Sequence, residues 1–270
     1  MPIRAGSAPH HFDFLAEQFT LPEYQSLRLC LGVFMANHSP LTALVEYEVH
    51  VENSDVGQWL DVWQGRGQDA LFGEPETFAY EAMQSQQNAD QILVFERYKN
   101  GQSSLDAHIG RTAHATLIET MGSRNMTRRR VMSNLFSDID GYGWWSRDTG
   151  ADPMQEAGII VTLIGTHFDD EVMKQRYIEV TRDHANYCYE AEPDTLIYNG
   201  CDAMRDSDRG PDIKTGDLLF VAAFKNQAAA IKHRDDPRHL KLQPVLEGIA
   251  RERRFALTYL TTGRGFLWRE

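Results

Sequence analysis

Cysteine is scarce in this chain: three among 270 residues, Cys30, Cys188 and Cys201. They are too few and too scattered for a disulfide framework or a cysteine zinc cluster. Long hydrophobic runs are also missing. The longest, Leu29–Ala36 and Leu218–Phe224, fall far short of the ~20 residues a membrane helix needs. The N-terminus, MPIRAGSAPHHFDF, carries no hydrophobic stretch of the kind that directs secretion. Basic charge is outweighed, 27 Lys and Arg against 39 Asp and Glu, a net charge of −12. Such a surface repels phosphate backbones, which argues against a nucleic-acid partner. Arg128, Arg129 and Arg130 form the one basic cluster, which a solvated loop accounts for. With these absences the expectation is a reduced, cytoplasmic protein with no membrane partner, in which the sequons at Asn37 and Asn125 are idle. What is present, 42% hydrophobic residues, 20 Gly and 10 Pro, is the composition of a globular protein.

The chain contains a repeat. Residues 90–122 and 217–248 both open on Asp and an apolar run. An aromatic residue and Lys-Asn follow, Tyr98-Lys99-Asn100 in the first and Phe224-Lys225-Asn226 in the second. Each continues to two histidines six apart, His108/His114 and His233/His239, and reaches Gly122 or Gly248. The offset stays at 125 to 126 residues throughout, which marks a tandem duplication.

The flanks repeat as well. Leu44–Val51 alternates as a half-buried strand, and Gly158–Gly165 is a β-branched run. A helix is predicted after each, from Ser54-Asp55 and from Asp169-Asp170, with Asp169 a natural N-cap. Strands Thr77–Gln84 and Thr195–Met204 follow, then the repeated strand and helix. Closing strands come last, at Val131–Ile139 and Arg254–Thr261. The order β-α-β-β-α-β is that of the ferredoxin-like unit. Its helices cover one sheet face, so two units stacked through their bare faces bury both. The expected class is α+β. Residues 1–41 form an N-terminal extension, 42–150 a first ferredoxin-like repeat and 151–270 a second, closing a barrel-like sandwich within one chain.

The string of apolar strand, Glu96-Arg97-Tyr98, Lys99-Asn100 and His108-x5-His114 resembles the antibiotic biosynthesis monooxygenase family of dimeric α/β barrel proteins. Both halves match it, over roughly residues 42–265, as a tandem-repeat pseudo-dimer. The resemblance implies an intramolecular dimeric α/β barrel. It also implies one of the family's activities: cofactor-free oxidation of phenols or anthrones to quinones, haem degradation, or polyketide cyclisation and isomerisation. The family's quinone formers tend to carry N-x-x-x-W on the motif strand. Here those positions read Val94 and Tyr98 in one half, Phe220 and Phe224 in the other, so the Asn is absent from both.

Alternation along the strand puts Val94, Glu96 and Tyr98 on one face and Leu93, Phe95 and Arg97 on the other. In the family geometry the Glu96/Tyr98 face looks toward the helices. There Tyr98, Glu96 and His108 are candidates to orient a phenol and take its proton; the competing reading has Glu96 and Arg97 as strand-end surface charges. His114 joins as a substrate-binding candidate, although the recurrence of both histidines also fits a shared structural role. Trp59 and Trp63, four apart on one helix face, would make a flat wall for a polycyclic ring, or simply core. Tyr177 and His184, seven apart, share a face and would shape a polar pocket in the second half. His167-x-Asp169 with His233 or His239 imitates an iron-binding triad but is set aside. Gly141-x-Gly143 and Gly263-x-Gly265 lack the rest of any phosphate-binding fingerprint. No metal or cofactor is therefore expected.

The function expected is a cofactor-independent monooxygenase acting on an aromatic, anthrone- or phenol-type polyketide in secondary metabolism, with O2 as co-substrate. The alternatives are a non-oxidative cyclase, isomerase or lyase on a similar substrate, and a non-catalytic binder of haem or hydrophobic metabolites. The fused repeat allows either a monomer or a homodimer.

Overall fold

The structure is a computed structural model that describes residues 39–147 and 156–269. Cys30, the Leu29–Ala36 run and all but the last three residues of the predicted extension lie outside them. The first half runs β1 (Leu41–Val49), α1 (Val56–Gly73), β2 (Thr77–Ser85), β3 (Gln91–Tyr98), α2 (Gln102–Ile109), α3 (Thr112–Ser123) and β4 (Thr127–Asp138). The second repeats the order: β5 (Ala157–His167), α4 (Glu171–Ala191), β6 (Thr195–Ala203), β7 (Leu218–Phe224), α5 (Gln227–Arg234), α6 (Pro237–Ile249) and β8 (Glu252–Thr262). No helix among the described residues is long and apolar enough to cross a membrane.

The long helices begin where a carboxylate meets unpaired N–H groups. Asp55 accepts from the Gln58 amide at 2.8 Å in a capping box, and Asp170 accepts from that of Met173 at 2.9 Å. The second cap is thus Asp170, one residue beyond the Asp169 expected. The single helix expected after each motif strand is two. In the second half Pro237 has no N–H and disfavours helix at Asp236, so Asp236 starts a new helix by capping Arg238. In the first half the break falls at Gly110-Arg111, where glycine's low helix propensity makes it cheap.

The strands form a closed ring in the order β1-β3-β2-β8-β5-β7-β6-β4, with β4 returning to β1. Each half contributes four neighbouring strands. Their outer edges join at two short antiparallel ladders, Met83–Ser85 against Tyr259–Thr261 and Phe136–Asp138 against Cys201–Ala203. The halves therefore meet through edges as well as faces, and every strand edge in the ring is paired. Leu44, Leu93, Phe95, Val161, Leu163, Leu219 and Val221 fill the interior, each contributing about 1.5–3 kcal/mol by burial. Ile92 and Val94 point outward under Trp59, Leu60 and Trp63 of α1. Arg97 is no surface charge. It is buried at the barrel end, paired with Asp138 at 2.5 Å and covered by the Trp145 ring at 3.6 Å.

Each closing strand runs on into a tail that crosses to the other half. After β4, Trp144 bridges to Tyr198 of β6; after β8, Phe266 bridges to Tyr80 of β2. Gly143 and Gly265 permit these approaches, since a Cβ would lie 1.9 Å from the Tyr198 carbonyl oxygen and 2.0 Å from that of Tyr80. Four residues on, Arg147 donates to the Cys188, Tyr189 and Thr195 carbonyls. Arg269 donates to those of Ala70, Leu71 and Glu74. Each tail thus supplies a cation to the C-terminal carbonyls of the other half's long helix. The two Gly-x-Gly segments, unexplained as phosphate loops, are these paired straps.

One strap is held by Glu81 of β2, which accepts from the Thr262, Gly263 and Gly265 amides at 2.8–3.1 Å. Burial pushes its carboxyl up to about 7 against the pull of those donors. The native state therefore keeps a proton that the unfolded chain releases above about pH 4.5. Stability from this group is full below that pH and falls by about 3 kcal/mol as pH rises to 7. Denaturant unfolding at pH 4.5 to 8 is expected to show that decline flattened in Glu81→Gln relative to the parent.

Candidate functional site

A polar cluster lies between the outer sheet face and the helices in each half, built from corresponding residues. Its anchor is a Glu-Pro-acid-Thr segment between long helix and strand, Glu74 to Thr77 and Glu192 to Thr195. In each the Thr hydroxyl donates to the Glu carboxylate, at 2.7 and 2.8 Å. The carboxylate accepts from Nδ1–H of the first repeated histidine, His108 or His233, at 2.8 Å in both. The second repeated histidine stands beside the first, with ring centroids 5.6 Å apart for His108/His114 and 4.6 Å for His233/His239.

The first-half cluster adds two charged groups. Arg66 of α1, with no exposed side-chain surface, donates to Glu74 at 2.5 Å, to Asp69 at 2.9 Å and to the His108 carbonyl at 3.2 Å. On β3 the Tyr98 hydroxyl donates to Glu96 Oε2 at 2.6 Å, both residues buried. The Tyr98 ring meets the His108 ring edge-on at 5.3 Å. The Glu96/Tyr98 face therefore does look toward the helices, and Glu96, Tyr98, His108 and His114 converge.

The electrostatics follow from burial. Burial raises the Glu96 carboxyl above the usual carboxylate range, outweighing the His108 charge and the Tyr98 bond. Burial works against ionising Glu74 too, but His108, Thr77 and Arg66 hold it down to about 2. Burial, with the charges of His108 and Arg66, lowers His114 to about 4. The cluster thus carries a fixed anion at Glu74, a readily protonated carboxylate at Glu96 and a neutral imidazole at His114.

Trp59 and Trp63 are core. Trp59 donates to Thr127 at 3.1 Å, and Trp63 stacks on Tyr80 with centroids 4.8 Å apart. They back the site from beneath α1 and leave no flat wall open to a substrate ring. Tyr177 and His184 do not shape one pocket. Tyr177 packs edge-on against Phe168, while His184 stands among His233, His239, Tyr187 and Tyr198. The imitation iron triad also dissolves, since His167 pairs with Asp217 and Asp169 with Arg251.

In the second half Glu96 and Tyr98 are replaced by Ala222 and Phe224, and Arg66 by His184, judged by the registers of the strands and of the Glu-Pro anchors. That cluster has lost its acid–base pair and gained an imidazole. Sequence reasoning missed Arg66, Glu74 and Glu192. The repeated Glu-Pro-acid-Thr was the signal available for the two glutamates.

Residues 40–120 match the sequence model of the antibiotic biosynthesis monooxygenase family. A search of curated proteins finds no match. Among solved structures the chain is similar to a protein of Lactobacillus acidophilus proposed to be a monooxygenase. The identity is 12% over 86% of this chain and 100% of that one, with a TM-score of 0.63. It is similar to another so described from Fusobacterium nucleatum, at 10% identity over 83% and 92% of the chains and a TM-score of 0.64. An anthrone oxidase-like protein aligns at 8% identity over 85% and 94%, with a TM-score of 0.52. At such identities the likeness is one of fold.

Proposed function

We propose, from the premise that this chain carries an antibiotic biosynthesis monooxygenase domain at residues 40–120, that its first half oxidises an aromatic small molecule of the phenol or anthrone type. The observation that carries this reading is the buried Tyr98–Glu96 pair, 2.6 Å apart, facing the helices beside His108. Glu96 is the base. His108 Nδ1 is taken up by Glu74 and Arg66, whereas Glu96, raised by burial, takes a proton at a pH where an ordinary carboxylate is a poor acceptor. Tyr98 orients the carboxylate and the substrate hydroxyl. His114, half-buried beside His108, meets the ring as it enters.

The chemistry needs no bound group. Loss of the proton leaves an electron-rich anion, which gives electrons to O2 and forms a C–O bond. The resulting peroxide loses water to leave a quinone carbonyl, so one oxygen atom ends in product and one in water. Burial keeps water from the anion while it reacts.

An oxygen electrode with an anthrone as probe tests this. Uptake of one O2 per quinone formed supports it. Turnover of a polyketide-like substrate with no oxygen consumed favours a cyclase, isomerase or lyase using the same base. Thermal stabilisation by the aromatic compound with no product, or a Soret band on adding haem, favours the non-catalytic binder.

A further inference from the structure

The second-half cluster has the residues of a metal centre. His184 of α4, His233 of α5 and His239 of α6 each present a nitrogen, and these three atoms lie within 4.8 Å of one another. His184 and His233 are buried and His239 is half-buried. Two nitrogens of these rings are buried with no hydrogen-bond partner, Nε2 of His184 and Nδ1 of His239. A buried unpaired imidazole nitrogen is costly, and three helices bringing three imidazoles together compounds the cost unless something binds them. His233 is already arranged as a ligand: its Nδ1–H is given to Glu192 Oε2 at 2.8 Å, and Glu192 is steadied by Thr195 at 2.8 Å. That arrangement fixes the tautomer and leaves Nε2 with its lone pair, as the outer carboxylate does at metal-bound histidines.

We propose that His184, His233 and His239 bind one divalent transition-metal ion of the zinc class, with Glu192 as the carboxylate that orients His233. Three imidazoles suit a borderline metal in a four-coordinate site, with a fourth position left for water or an exogenous ligand. Glu192 Oε1 is also buried and unpartnered. The first half is the internal control. There the position of His184 is held by Arg66, whose guanidinium fills the cluster with positive charge and hydrogen bonds. Among the described residues the only groups with metal-ligand spacing lie in the second half. The other such group, Cys188, Glu192 and His233, shares His233. Cys188 Sγ lies 3.8 Å from His233 Nδ1, the nitrogen already given to Glu192. This site is independent of the oxidation proposed for the first half.

The test is a titration of the full metal-free chain with Co2+, read by the visible bands of four-coordinate cobalt and followed by displacement with Zn2+. One equivalent is expected, with the bands lost on adding Zn2+ and the Tm raised by Zn2+. His184→Arg copies the arrangement the first half already folds with, and it is expected to weaken binding at least about 100-fold. His239→Gln, at a half-exposed position, is expected to do the same and keeps the test open should the arginine variant not fold. Absence of cobalt bands in the parent chain overturns the proposal. So does binding that survives both substitutions, or binding abolished by Cys188→Ser while His184→Arg retains it.

Discussion

Replacing Glu74 by Ala is expected to lower the stability of the chain by about 3–5 kcal/mol, far more than the matching change at Glu192. The carboxylate is the common acceptor for Arg66, His108 and Thr77. Without it the Arg66 guanidinium stays sealed from water with Asp69 as its one carboxylate, and His108 Nδ1–H faces no acceptor. Removing one member of a buried ion pair costs about that much, because the remaining charge has nowhere to go. At Glu192 the partners are an imidazole and a hydroxyl, so the loss is that of hydrogen bonds, about 1–3 kcal/mol. Thermal unfolding of the two variants reads the difference, with a drop for Glu74→Ala of roughly 6–20 °C. The same residue sets an acid limit. Its carboxyl lies at about 2 in the native state against 4.5 in the ordinary range. Its contribution is therefore whole above about pH 4.5 and disappears as the pH falls toward 2. Equal losses at Glu74 and Glu192 would show that Arg66 does not depend on the anion.

Glu96→Gln is expected to cut the rate of aromatic oxidation by about 10²–10⁴-fold, the range for losing a general base, while leaving stability unchanged or raised. The two effects separate because burial makes ionised Glu96 a burden to the fold and the amide carries no charge. Stability from Glu96 itself declines as pH rises, since the native state holds the proton longer than the unfolded chain. Activity runs the other way, rising with pH as the base ionises. Tyr98→Phe refines the assignment: the Tyr98 bond holds the Glu96 carboxyl down, so its loss is expected to move the acid limb of the rate profile to higher pH. A purely structural tyrosine would lower the rate without moving that limb. If Glu96→Gln keeps parental kcat and pH profile, the base lies elsewhere.

Much of the fold was legible because its signals are local. Alternation marked the strands, and aspartates followed by apolar residues at helical spacing marked α1 and α4. The Lys-Asn and paired-histidine landmarks revealed the duplication, and alternation on β3 placed Glu96 and Tyr98 on the face toward the helices. The misreadings have physical reasons. The split into two helices depends on Pro237 in one half and on Gly110 in the other, so no common pattern announces it. The edge ladders are three residues long, too short to imprint a period. Trp59 and Trp63 have the spacing that both a wall and a core require, and only packing on Tyr80 and Thr127 decides between them. Arg66 and Glu74 stand on separate turns of chain, joined to His108 by tertiary contact alone. The imidazole triad likewise draws on positions 184, 233 and 239, a separation that no linear motif spans.

The single-chain ring carries an evolutionary corollary. In an assembly of two identical subunits every mutation is made twice, and a residue that helps one cavity is forced upon the other. Linking the copies removes that constraint. Arginine at 66 and histidine at 184, or tyrosine at 98 and phenylalanine at 224, are differences that no symmetric pair can hold. The covalent link is thus what lets the two copies diverge while both keep the shape they share.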